Sequence, residues 1–194
     1  MAATVLCGLG TRRPVAALET GQSSYTETTV SVTSKDGTTI EATLYEPDGQ
    51  GPYPAVLGTH GWGGNRTMVD MGKYASRGYV GLAYDSRGFG NSGGTVTLNG
   101  KKEQEDAQAL ISWLSDRESM LTDGPDNPRL GMEGGSYGGG IQPRVAANDD
   151  RVDAIVPEYT WYDLTSALAP NGVLKLGWAL GLRVAASTGE LSTE

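Results

Sequence analysis

The sequence is poor in several residue types, and each shortage excludes a class of protein. It has one cysteine, Cys7, among 194 residues, which excludes an internal disulfide framework. Basic residues are few: 15 lysines and arginines against 23 aspartates and glutamates give a net charge of −8, which argues against nucleic-acid binding. The most apolar stretch, Val173–Leu182, is shorter than the roughly 18 residues of a membrane span, so no span is predicted.

The spacing of the apolar segments predicts one α/β domain. Residues 1–26 lack periodicity and are predicted to be a disordered tail, and residues 27–160 are predicted to form the core. Strands are predicted at 29–33, 39–45, 54–59, 79–84, 129–133 and 152–157, and helices at 67–77 and 101–117, with a loop at 122–128. A hairpin followed by strand–helix alternation predicts a mostly parallel sheet, and the strand at 152–157 is expected to be buried.

The pentapeptide Gly134–Gly138 carries the strongest chemical signal. It has the form G-x-S-x-G, with Ser136 at its centre, and lies between a predicted strand and a predicted helix. This is the context of a nucleophile elbow, in which a strained turn holds a serine above the edge of a sheet. Small flanking residues allow the neighbouring backbones to approach closely. The pattern predicts that Ser136 is a catalytic nucleophile.

Histidine is scarcer than this chemistry requires. A serine hydroxyl needs a base to take its proton, and in elbows of this kind the acid and the histidine follow the serine along the chain. The one histidine, His60, precedes Ser136. Because His60 begins a glycine-rich loop directly after a predicted strand, it is interpreted as a structural residue of that loop, and a role as the base is the less favoured alternative.

The segment His60–Gly64 has the composition of an oxyanion-hole loop. Its glycines allow backbone N–H groups to point at a developing negative charge. We expect one donor to be the amide of Trp62 and the other the amide of Tyr137, next to the nucleophile. Asp85 and Arg87, in the glycine-rich run after the strand at 79–84, are interpreted as braces of these loops rather than as catalytic groups.

Four motifs together resemble a known family. They are Asp36-Gly37, His60–Gly64, the D-x-R-G-x-G-x-S-x-G run from Asp85 to Gly94, and Gly134–Gly139. In this combination the chain resembles the α/β-hydrolases of the X-prolyl dipeptidyl-peptidase and cocaine-esterase type, also called acyl esterases. The resemblance implies an α/β-hydrolase fold and a serine hydrolase that cleaves esters or peptides without a cofactor; no metal site is predicted.

The same resemblance implies elements that this sequence does not contain. Family members insert a helical cap after about the sixth strand, and residues 161–194 look like its beginning. Their catalytic acid and histidine follow the cap. The chain is therefore expected to be an incomplete hydrolase, with its sheet truncated before the last strands. This chain alone is expected to hydrolyse esters poorly or not at all, and the alternative is an inactive hydrolase that only binds small acyl ligands.

Two further assignments concern the substrate. Trp62, Tyr137 and Trp161 are expected to line an acyl pocket, because aromatic side chains combine apolar area with a polar edge. Glu158 is the best-placed acid after Ser136, but without a histidine it is interpreted as structural or substrate-facing. The predicted partner is a small ester or peptide. The sequence does not decide between these two, between a cytoplasmic and a secreted location, or among oligomeric states.

Overall fold

Six strands form the central sheet of the computed structural model, which describes residues 24–192. These six strands are β1 (Tyr25–Thr33), β2 (Thr39–Pro47), β3 (Ala55–Thr59), β4 (Val80–Tyr84), β7 (Leu130–Gly135) and β8 (Val152–Glu158). Two short strands, β5 (Thr122–Gly124) and β6 (Asn127–Pro128), pair with each other outside this sheet. The sheet order is β1-β2-β4-β3-β7-β8; β1, β2 and β4 pair antiparallel, and β4, β3, β7 and β8 run parallel. The predicted α/β sheet is confirmed.

Within residues 24–192, the chain forms five α-helices. They are α1 (Gly72–Ala75), α2 (Lys101–Ser115), α3 (Tyr137–Ala146), α4 (Leu164–Leu168) and α5 (Leu176–Ala186), with short 3-10 turns at Arg66–Met68 and Pro170–Gly172. The apolar stripe of α2 packs on one face of the sheet beside α3, as its helical spacing predicts. Within the described residues, no helix is long and apolar enough to cross a membrane.

The alternation of side chains along the buried strands places a core on each face of the sheet. In β3, Ala55 and Leu57 point into the large core under α2 and α3, whereas Val56 joins a smaller core with Val69 and Met71 on the opposite face. All five residues of β3 and of β4 are buried. Both strands are therefore central, and their carboxyl ends project loops to the same edge of the sheet.

The predicted helix at 67–77 is mostly wrong. Only a 3-10 turn at Arg66–Met68 and the four-residue α1 form there, and Val69 between them is extended. An extended backbone lets Val69 and Met71 face the sheet together, where both lie against Gly58. A helix would have directed these two side chains to different sides.

Two other elements differ from expectation. The predicted loop at 122–128 is a small hairpin of β5 and β6, with Asp126 at positive φ in its turn. The strand β8 is not buried: Val156 is 51% exposed, because within residues 24–192 no strand pairs with the outer edge of β8. At the other edge, β1 begins at Tyr25, inside the predicted tail; Cys7 and the rest of that tail lie outside the described residues.

Candidate active site

Ser136 occupies the turn between β7 and α3. Its backbone has φ 54° and ψ −117°, a conformation that is strained for a residue with a side chain. Its N–H donates to the carbonyl oxygen of Glu158 at 2.8 Å, and its own carbonyl accepts from Gly139 and Gly140 at the start of α3. The residue is half-buried. The strand, strained turn and helix predicted for the elbow are therefore all present.

Two glycines of the elbow allow the end of β3 to approach it. A Cβ on Gly134 would lie 2.4 Å from the carbonyl oxygen of Thr59, and one on Gly138 would lie 2.2 Å from the same oxygen. With contacts this short, a side chain at either position would force the neighbouring backbone to move. The approach carries the loop after β3 to the serine, since a Cβ on Gly61 would lie 3.9 Å from the Cβ of Ser136.

The two amides expected to form an oxyanion hole are free. Within residues 24–192, neither the N–H of Trp62 nor that of Tyr137 donates a hydrogen bond to a protein acceptor. Tyr137 is the first residue of α3, where a helix leaves its N–H groups without partners inside the helix. The two loops that carry these amides are in contact, because the rings of Trp62 and Tyr137 lie 5.2 Å apart, edge to face. Within the described residues, both N–H groups are therefore without a protein acceptor.

His60 is buried and fully engaged. Its Nε2 accepts the N–H of Ser86 at 3.0 Å, which leaves the ring proton on Nδ1, and Nδ1 donates to the carbonyl oxygen of Gly61 at 2.8 Å. Burial lowers the pKa of His60, so the neutral ring is favoured. The imidazole joins the loops after β3 and β4. It is held in a structural role, as interpreted from the sequence, and offers no free nitrogen to Ser136.

Asp85 is completely buried and organises the loop after β4. Its carboxylate accepts the N–H of Arg66 at 2.6 Å and the N–H of Asn91 at 2.8 Å, and it forms an ion pair with the Arg66 guanidinium. Gly90 closes over the carboxylate, and a Cβ there would lie 2.3 Å from the Asp85 carboxyl carbon. The Asp85 carboxylate thus holds Arg66 and the Asn91 backbone in place.

Arg87 braces the same loop from the opposite side. Its Nε and Nη2 donate to the two carboxylate oxygens of Asp106 in α2 at 2.8 and 2.6 Å. Its Nη1 donates to Asp36 at 2.9 Å, and the guanidinium holds the pKa of Asp36 below its usual range. The predicted bracing role of Asp85 and Arg87 agrees with these contacts.

Aromatic side chains cluster beneath the elbow. Phe89, Val96 and Tyr137 form a buried group against which Trp62 and Trp161 pack. The side chain of Tyr137 is 1% exposed, so it offers almost no surface to a substrate. The same burial raises the pKa of its hydroxyl. The expectation that the Tyr137 side chain lines an acyl pocket is therefore wrong. Trp62 and Trp161 are half-buried, so part of each indole stays exposed at this site.

Acidic groups near the elbow have different surroundings. Glu158 ends β8 with an exposed side chain, and its backbone rather than its carboxylate contacts Ser136. Glu133, in β7, accepts from the Tyr74 hydroxyl and pairs with Lys73 at 2.8 Å. Burial, together with this bond, raises the pKa of Tyr74 to about 12.

Among residues 24–192, no group of acidic, cysteine or histidine side chains is arranged to hold a metal ion.

The sequence interpretation missed two sets of contacts, one at the elbow and one at the loop after β3. Gln142, fully buried in α3, donates through Nε2 to the carbonyls of Gly134 and Gly138 and accepts the N–H of Val156 through Oε1. One amide therefore joins β7, α3 and β8. A polar residue on the otherwise small and apolar face of α3 was the signal that could have identified it.

The second missed set of contacts ties α5 to the segment His60–Gly64, which we name the oxyanion loop after its predicted role. The Trp62 indole donates to the carbonyl of Leu182 at 2.9 Å, and the Thr188 hydroxyl donates to the carbonyl of Gly63 at 3.0 Å. Beyond α5, Glu190 exchanges backbone hydrogen bonds with Gly88 and Val96. The segment after α4 is thus anchored to both loops that flank Ser136, while much of the apolar surface of α5 stays exposed.

Comparisons with curated proteins give matches over part of each relative's length. The chain is 31% identical over 141 residues to the quorum-quenching protein AidA of Acinetobacter baumannii, covering 70% of this chain and 45% of that protein. It is 28% identical over 175 residues to the cocaine esterase of Rhodococcus sp., covering 84% and 29%. The chain therefore spans less than half the length of these curated relatives.

A solved structure supports the fold. An α/β hydrolase from Penicillium sp., GrgF, superposes with a TM-score of 0.61 at 22% identity, over 82% of this chain and 54% of that one. This confirms the predicted α/β-hydrolase fold. The sequence model of the X-Pro dipeptidyl-peptidase (S15) family matches residues 36–192, a span that includes both oxyanion-loop and elbow motifs. The chain belongs to the X-Pro dipeptidyl-peptidase (S15) family.

Proposed function

We propose that this chain carries the nucleophile and the oxyanion hole of a hydrolase that acts on ester or peptide bonds. Ser136 is the nucleophile, and the N–H groups of Trp62 and Tyr137 bind the negative charge that develops on the carbonyl oxygen of the substrate. The observation that carries the proposal is the strained φ of 54° at Ser136 beside two amides that have no acceptor within residues 24–192.

The reaction assigned to these groups is acyl transfer. The oxygen of Ser136 attacks the carbonyl carbon, and a base takes its proton. The charged oxygen is held by the two amides, the alcohol or amine leaves with a proton, and water then releases the acyl group from the serine. Each oxyanion donor is worth on the order of 3 kcal/mol in such enzymes. The site serves esters and peptides alike, and the exposed faces of Trp62 and Trp161 are proposed to contact the acyl group.

The base is the part that these residues do not supply. Both nitrogens of His60 are occupied, and the sequence has no other histidine. Glu158 is exposed, and its backbone carbonyl accepts the N–H of Ser136. The chain alone is therefore expected to react slowly, with residual catalysis from the oxyanion hole. This absence favours a second candidate function, in which the site binds small acyl ligands without turnover.

The test uses a fluorophosphonate and the intact mass of the protein. Ser136 is expected to be labelled slowly, and added imidazole is expected to accelerate labelling because it replaces the missing base. Ser136→Ala is expected to gain no mass. Labelling of the unsubstituted protein at another residue, or none even with imidazole, would contradict the proposed nucleophile. Turnover of p-nitrophenyl acetate above that of Ser136→Ala would then separate slow catalysis from binding alone.

A further inference from the structure

Tyr137 is held by a short strap that the catalytic proposal does not use. The strap is the segment Thr97–Gly100, which joins the loop after β4 to the start of α2. Asn99 is 2% exposed, and its Nδ2 donates to the carbonyl oxygen of Tyr137 at 2.9 Å. The carbonyl belongs to the residue whose own N–H is proposed as an oxyanion donor.

The backbone of the strap is strained at two successive residues. Leu98 has φ 55° and Asn99 has φ 59°, both in the left-handed region. Asparagine tolerates this region better than most residues, but leucine does not. Leu98 is 53% exposed, so its burial does not account for the conformation. This conformation coincides with the contact of the Asn99 amide with Tyr137, and strain of this kind concentrates at functional sites.

Glu103 and Gly140 make further contacts that hold the strap and Tyr137 together. Glu103, in the first turn of α2 and 3% exposed, accepts from the Tyr137 hydroxyl at 3.3 Å and from the backbone N–H of Thr97. Gly140 makes room for Asn99, since a Cβ on Gly140 would lie 2.7 Å from the Asn99 Nδ2. Tyr137 is therefore held at its backbone carbonyl by Asn99 and at its phenol by Glu103.

We infer that Asn99 is a positioning residue, which fixes the backbone at Tyr137 so that its N–H stays directed at the oxyanion position beside Ser136. This inference rests on the proposed function. Asn99 does not touch the reacting atoms; it acts through Tyr137. The physical reason is that an oxyanion donor is effective only when its direction is set before charge develops. A displacement of about 1 Å at a reacting centre lowers rates by about 100-fold.

The test compares two glycine variants of the strap. Asn99→Gly removes the amide and keeps the freedom to adopt positive φ, whereas Leu98→Gly relieves the neighbouring strain and removes no hydrogen bond. Fluorophosphonate labelling of Ser136 is followed with imidazole as the base. In this reaction the serine oxygen bonds to phosphorus, fluoride leaves, and imidazole takes the proton. Asn99→Gly is expected to lower kinact by about 10- to 100-fold with KI unchanged, and Leu98→Gly is expected to leave both constants unchanged.

A second measurement is independent of reactivity. In two-dimensional NMR spectra the amide signal of Tyr137 is expected to shift or broaden in Asn99→Gly and to stay in place in Leu98→Gly. If the unsubstituted protein is not labelled, the proposed function fails, and the Tyr137 signal alone decides the positioning role. Equal losses of kinact in both variants, a change in KI alone, or an unchanged Tyr137 signal would overturn the inference. Should Asn99→Gly fail to fold, Asn99→Asp, which keeps the volume of the side chain, replaces it with the same expected outcomes.

Discussion

The carbonyl oxygen of Thr59 lies 2.2 Å from the position that a Cβ on Gly138 would occupy. This approach brings the end of β3 against the start of α3, and with it the oxyanion loop against Ser136. A side chain at position 138 would have to push the backbone of β3 or of α3 aside, and neither backbone is flexible here because both are buried.

Gly138→Ala is therefore expected to destabilise the fold, although alanine is the better helix former. The overpacking cost of about 3 kcal/mol exceeds the helix propensity gain of about 1 kcal/mol. Urea unfolding measures the loss. The matched control is Gly177→Ala in α5, where a Cβ would meet nothing within 4 Å, and stability should stay the same or rise. Equal effects of the two substitutions would contradict the close approach.

Asp106→Ala is expected to lower the free energy of unfolding by about 3 to 5 kcal/mol, because it leaves the buried Arg87 cation without its bidentate partner. The side chains of Arg87 and Asp106 are 2% and 1% exposed. Asp36→Ala should cost less, since the Asp36 side chain is 32% exposed. Lys35→Ala, at a side chain that is 75% exposed, serves as the control and should change little. Chemical denaturation of the three variants gives the order, and a cost for Asp36→Ala above that for Asp106→Ala would refute it.

Stability is expected to fall as the pH is lowered below 6.5, the ordinary pKa of histidine. Burial lowers the pKa of His60 in the folded state, so the unfolded chain takes up the proton first and gains free energy from it. The slope is at most about 1.4 kcal/mol per pH unit for one proton, and it ends at the folded pKa.

His60→Gln supplies the comparison for this pH dependence. Its side-chain amide does not titrate, so the difference in unfolding free energy between the unsubstituted protein and the variant should shrink from pH 7 to pH 5. Urea titrations at several pH values measure that difference. A pH-independent difference would show that the His60 imidazole is protonated as easily in the fold as in water.

Trp62→Phe is expected to loosen α5 while the aromatic cluster stays packed. Phenylalanine keeps a ring against Phe89 but removes the hydrogen bond from the indole to the carbonyl of Leu182. Hydrogen exchange of the α5 amides should become faster, with about 1 kcal/mol less protection. The control is Trp178→Phe, because Trp178 is 68% exposed on the same helix. Unchanged protection in Trp62→Phe would mean that α5 is held by other contacts.

Local patterns were sufficient to predict much of this fold. The short apolar runs of β3 and β4 and the helical spacing of α2 appear in the structure because each is set by burial of neighbouring residues. The sharp turn at Ser136 could be predicted from the glycines of the G-x-S-x-G pattern. The segment at 67–77 was misassigned because an extended backbone buries Val69 and Met71 together, which local propensity does not reveal.

The contacts that fix the candidate site could not be predicted in the same way. Asn99 reaches Tyr137 across 38 positions, and no local pattern in the strap indicates that pairing. The engagement of both nitrogens of His60 depends on the loop after β4, 26 positions away. Such contacts follow from how strands are ordered in the sheet, and strand order is a property of the whole chain.

The bond between Trp62 and Leu182 joins residues 120 positions apart. During synthesis at about 5 to 20 residues per second, Leu182 follows Trp62 by roughly 6 to 24 seconds. The strands that carry the oxyanion loop and the elbow emerge from the ribosome well before the helix that anchors that loop. A nascent chain therefore passes through a period in which Trp62 has been made and its acceptor, the carbonyl of Leu182, has not.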